Sequence, residues 1–69
     1  MRDPDLTSSS ALIAWLPRDV GDARDYVESQ QARLHRFILH ETSRDRVVAA
    51  CLAVTDLIDH AIRSGVFPN

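Results

Sequence analysis

Sixty-nine residues, 45% of them hydrophobic and 26% charged, with a formal net charge of −2, describe one small domain and exclude two. A chain of this size buries only about 60% of the surface that its unfolded form exposes, so it needs a staple or a partner. The single cysteine, Cys51, excludes an intrachain disulfide, and no Cys and His stand at zinc-finger spacing, which leaves oligomerisation as the remaining staple.

The opening residues carry Arg2, Asp3 and Asp5 where a secretory signal has a basic stretch and an apolar core. The longest apolar run, Val47 to Val54, is far short of the roughly 20 residues that cross a bilayer. Together these features predict a cytoplasmic chain with no membrane partner. Every basic residue is arginine, a skew that fits the codon usage of a GC-rich bacterial or phage genome.

In chain order, residues 1–7 hold Pro4, three charges and no apolar period, the composition of a disordered end, and residues 8–69 form one helical domain. Ser8, Ser9 or Ser10 can cap a first helix over about 9–16, built on the block from Ala11 to Leu16 and stopped by Pro17. Asp19 caps a second helix over 19–41, with Asp22 and Asp25 where the helix dipole favours negative charge. On it Leu34, Tyr26, Phe37, Ala23, Val27, Val20 and Ile38 fall within an arc of about 120°. A third helix over 44–64 starts at Ser43 and Asp45 and ends with Arg63, Gly65 and Pro68. The short connection between Glu41 and Arg44 folds the two long helices back on each other.

The fold class expected is therefore all-α: a short N-terminal helix followed by an antiparallel helical hairpin that dimerises into a helical bundle. The dimer is motivated by the third helix, whose apolar residues from Ala53 and Leu57 round to Cys51 and Ile62 span half its circumference, wider than one neighbour covers. The first helix can cover part of that surface in cis or pack on another subunit. Charge fits an antiparallel pair. Arg2, Arg18 and Arg24 against Asp3, Asp5, Asp19, Asp22, Asp25 and Glu28 leave residues 1–30 at −3, whereas Arg33, Arg36, Arg44 and Arg46 against Glu41 and Asp45 leave residues 31–47 at +2.

Catalytic pairings are sparse. In the hairpin register His35 falls opposite Cys51, but the thiol lies inside an apolar run, where cysteine behaves as a small hydrophobe and not as a nucleophile. Asp56 and His60, one turn apart with Asp59 adjacent, supply too few ligands for a metal, and His40 could join His60 only across an antiparallel dimer. The expectation is no enzyme, no metal and no cofactor.

Two surfaces are candidates for binding. Val48 and Leu52 sit one turn apart on the polar face of the third helix, and with Leu12 and Trp15 of the first helix they form the expected partner-binding set. Arg33, Arg36, Arg44 and Arg46 gather near the hairpin turn and could contact phosphates, although the third helix is too apolar to lie in a DNA groove and the net charge is negative. The sequence thus predicts a small non-enzymatic protein–protein interaction module, an adaptor, inhibitor or accessory subunit acting as a helical homodimer. The alternative is a nucleic-acid-binding regulator that uses the arginine cluster.

Overall fold

A computed structural model describes residues 3–66, so Pro68 and the outer ends of the expected ranges lie outside the described residues. It contains α1 (Ser9–Ala14), α2 (Val20–His40) and α3 (Arg44–Arg63), with no strand among the described residues. Each helix opens on a side-chain cap that satisfies one orphan backbone N–H. Ser8 Oγ accepts from the Ala11 amide at 3.2 Å, Asp19 Oδ2 from Asp22 at 3.0 Å and Ser43 Oγ from Arg46 at 3.4 Å.

The helix ends follow from equally local causes. α1 closes two residues before the expected boundary, with Trp15 as C-cap and the Leu16 amide bonded back to the Ile13 carbonyl just before Pro17. α3 ends at Arg63 with Ser64 as its C-cap, and Gly65 follows at φ 79°, a left-handed conformation that a side chain disfavours. Between α2 and α3, Glu41 organises the turn. Its Oε1 accepts from the Thr42 and Ser43 amides at 3.0 and 3.1 Å, and its Oε2 accepts from Arg46 Nε at 2.9 Å. The Ser43 amide first, and then Arg46, hold this carboxyl below its ordinary value of 4.5.

α2 and α3 pack as the expected antiparallel hairpin, and α1 folds back onto α3 within the same chain. Leu12, Val27, Ala50, Ala53, Val54, Leu57 and Ala61 form the core. The alanines of α3 keep its inner face shallow, so both neighbours can approach it closely. The Tyr26 hydroxyl donates to the Leu12 carbonyl at 2.6 Å and ties α1 to α2 as well. Burial pushes the Tyr26 phenol up from its ordinary value.

Three sequence expectations change here. Leu12, assigned to a partner-binding set, is wholly buried and is the one buried residue of α1. The half-circumference stripe of α3, which suggested a second subunit, is covered in cis by α2 and α1 over Ala50, Ala53, Val54, Leu57 and Ala61, while its far edge stays open, with Cys51 and Ile58 half-buried and Ile62 exposed. Residues 3–7, expected to be disordered, lie packed: Pro4 is buried, Leu6 is 5% exposed within the core cluster, and Arg33 Nη1 donates to the Pro4 carbonyl at 3.0 Å. The physical reason is a tight turn leading into α1. The Thr7 amide and hydroxyl donate to Asp5 Oδ1 at 3.0 and 2.8 Å, and the Ser8 amide bonds to the Asp5 carbonyl at 3.1 Å, which aims Leu6 inward.

Candidate functional site

With α1 on one side of the hairpin, the other side is open. On α3, positions 48, 52, 55, 59 and 62 recur at steps of four and three, so their side chains line up as one ridge along the helix. Val48 is 50% exposed, Leu52 61% and Ile62 37%, and Cys51 and Ile58 lie half-buried between this ridge and the core. The Thr55 hydroxyl is bonded to the Cys51 carbonyl at 2.8 Å, and Asp59 pairs with Arg63 at 3.0 Å, so the polar members of the ridge are satisfied locally.

α2 contributes the matching edge. At about 100° per residue, Val20 and Ile38 stand just outside the buried stripe, both nearly half exposed, and Leu39 beyond them is 78% exposed. Because the helices run antiparallel, this edge and the Val48–Ile62 ridge fall on the same side of the hairpin, while Tyr26 and its bond to α1 mark the opposite side. The result is a two-helix apolar flank with Leu39 and Leu52 at its rims. A shallow groove of about 260 Å³ lined by His35, Ile38 and Leu39 opens at its turn end.

Of the expected partner residues, the structure therefore places Val48 and Leu52 on the open flank. Trp15, 45% exposed, sits apart at the end of α1. Nearby, Ile13, Leu16, Pro17, Arg18, His60 and Val66 line a groove of about 410 Å³. Cys51 is half-buried and His35 is exposed, and no hydrogen bond joins them among the described residues. Asp56, Asp59 and His60 are exposed, and among the described residues no three His, Cys, Asp or Glu side chains gather around one point.

The arginines divide. Arg33 and Arg36 of α2 and Arg46 of α3 line a cleft of about 470 Å³ whose other wall is Asp3, Pro4, Asp5 and Leu6, whereas Arg44 lies exposed outside it. Arg33 Nη1 bonds to Gln30 Oε1 at 2.6 Å as well as to Pro4, and its Nε stands 4.0 Å from Asp3. Arg46 is held by Glu41 and lies over the Phe37 ring at 5.6 Å from the centroid. Bonds from the Thr7 amide and then its hydroxyl lower the pKa of Asp5, helped at longer range by Arg46 and Arg33.

Sequence reasoning missed Gln30 and Leu6. Gln30 is 3% exposed and falls inside the α2 stripe, where a lone polar residue with an arginine three positions on was the available signal for an internal hydrogen bond. No family model, curated protein or solved structure matches this chain.

Proposed function

We propose that the chain is a small non-enzymatic protein–protein interaction module that acts as a helical homodimer in an adaptor, inhibitor or accessory role. The open flank carries this reading. Val48, Leu52, Ile62, Val20, Ile38 and Leu39 are large exposed apolar side chains on one side of a hairpin, interrupted by Thr55 and Asp59 on α3, and an apolar excess of this kind on a small chain marks a contact surface. Two helices of about 20 residues side by side present roughly 30 × 20 Å, of the order of the 800 Å² per partner in a standard interface.

Charge adds little orientation to a pair of hairpins: Asp3 and Asp5 fold onto the arginines of the turn end and offset the +2 of residues 31–47, while residues 8–30 carry −2. Trp15 then remains outside the pair, an amphipathic anchor of the kind that dominates protein interfaces, available to a different protein. The nucleic-acid alternative loses ground because Arg33 and Arg46 spend donors inside the chain. That leaves Arg36 and Arg44 against the roughly 6–10 phosphate contacts of a typical binder.

Sedimentation equilibrium from low micromolar to about 100 μM tests the reading. The expected result is a concentration-dependent shift from monomer to dimer that Leu52→Asp removes while keeping the helical circular dichroism. A wild-type chain that remains monomeric throughout, or a Leu52→Asp chain that dimerises like wild type, refutes it.

A further inference from the structure

We propose that the cleft between residues 3–6 and the two long helices is a recognition site for extended acidic peptide segments, occupied in this structure by the chain's own Asp3–Leu6 stretch as a displaceable internal ligand. The two walls differ in kind. The helices supply Arg33, Arg36 and Arg46 with Phe37 beneath Arg46, and the N-terminal stretch supplies two carboxylates around Pro4. One contact reads backbone alone, since Arg33 Nη1 donates to the Pro4 carbonyl at 3.0 Å, and any extended segment carries that acceptor. Leu6 adds the apolar anchor. The signature recognised is therefore a pair of acidic residues followed by one apolar side chain.

The internal ligand is packed through Pro4 and Leu6, but its carboxylates fit loosely. A cleft of about 470 Å³ stays open between the walls. Asp3 reaches Arg33 only at 4.0 Å, the Asp5 carboxylate is hydrogen-bonded to Thr7 and not to an arginine, and Arg36 makes no ion pair among the described residues. A segment with better-placed carboxylates gains interactions that residues 3–6 leave unused. The native stretch competes through its tether, which gives it a high effective concentration and reduces the apparent affinity of any external segment by the fraction of chains that are open. Arg33, Phe37 and Arg46 belong to the α1 side of the hairpin, so the site is independent of the apolar flank, and either can fail without the other.

The probe is a fluorescein-labelled hexapeptide with the sequence of residues 3–8, titrated with the full chain and followed by anisotropy. Leu6→Ser, which removes the internal anchor, is expected to bind the probe about tenfold tighter than wild type. Asp3→Asn with Asp5→Asn, which spares Leu6 and leaves Thr7 an amide oxygen, is expected to bind about threefold tighter. Circular dichroism checks that each variant is folded, and the Asn pair carries the test alone if Leu6→Ser is not. Adding Arg36→Ala and Arg46→Ala abolishes the gain, and a probe with both Asp residues replaced by Asn binds about tenfold weaker. The proposal is overturned if no folded variant gains affinity, if the Asn probe binds equally well, or if a single-stranded oligonucleotide binds the cleft more tightly than the acidic probe.

Discussion

Leu12→Ala tests the reassignment of α1 from partner surface to core. Leu12 is fully buried and is the one buried residue of a six-residue helix. Removing three carbons at about 0.8 kcal/mol each loses roughly 2.4 kcal/mol of transfer free energy, and an unfilled cavity raises the cost to about 3–5 kcal/mol. Total stability for a domain of this length is about 3.5–10 kcal/mol. The substitution therefore removes a large share of it, unless α1 detaches and limits the loss to its own docking energy. Thermal unfolding followed by circular dichroism should show Tm lowered by roughly 12–24 °C for a 3 kcal/mol loss, with Trp15 fluorescence changing at or before the main transition. A Tm lowered by less than about 4 °C would show that α1 does not anchor the fold through Leu12.

Other substitutions separate local causes. Gly65→Ala meets no atom within 4 Å but must hold φ near 79°, so it should cost about 1–2 kcal/mol in denaturant titration, and Gly65→Asn should cost less; equal stability of all three chains would refute the conformational argument. The folded pKa of Glu41 is depressed, so its contribution is complete above the unfolded value near 4.5 and is lost as pH falls through the lower folded value. Glu41→Gln should accordingly flatten the fall in Tm between about pH 5 and pH 3, and an unchanged acid limb would remove the turn carboxylate from the account. Cys51, half-buried on the flank, should react with a thiol reagent slowly in concentrated wild-type protein and faster on dilution or in Leu52→Asp. A labelling rate independent of concentration contradicts a dimer built on this flank.

The helices were legible because their signals are local. Asp19 and Ser43 cap where their side chains predict, the α2 stripe orients Ala23 and Val27 inward, and Gly65 takes the left-handed turn. What the sequence could not convey is which of several apolar surfaces pairs with which. Leu12 and Leu52 both read as surplus apolar residues, and only the return of α1 onto α3 separates a core anchor from an exposed rim. Residues 3–7 were misjudged for a related reason. A composition of Asp, Pro and Thr argues for disorder, yet one leucine aimed by an Asp5–Thr7 turn, together with an arginine 29 positions away, is enough to place them. For the candidate site, Val48 and Leu52 were visible as an unpartnered pair one turn apart, but Ile38 and Leu39 join them only through the antiparallel register.

The Glu41 turn has a kinetic consequence. Its three hydrogen bonds join residues at most five positions apart, so the turn that brings α2 against α3 closes a short loop at little entropic cost. The contacts that fix the N-terminal arm are of another order: Tyr26 to Leu12 spans 14 residues and Arg33 to Pro4 spans 29. Local pairing of this kind predicts a fast folding route in which the hairpin forms first and the arm docks afterwards. The interactions of Leu12 and Leu6 are then absent from the transition state, and their strength governs how long the native chain persists more than how quickly it is reached. On this route the molecule is expected to open from its N-terminus first, and φ-values near zero at Leu12 and Leu6 would show it.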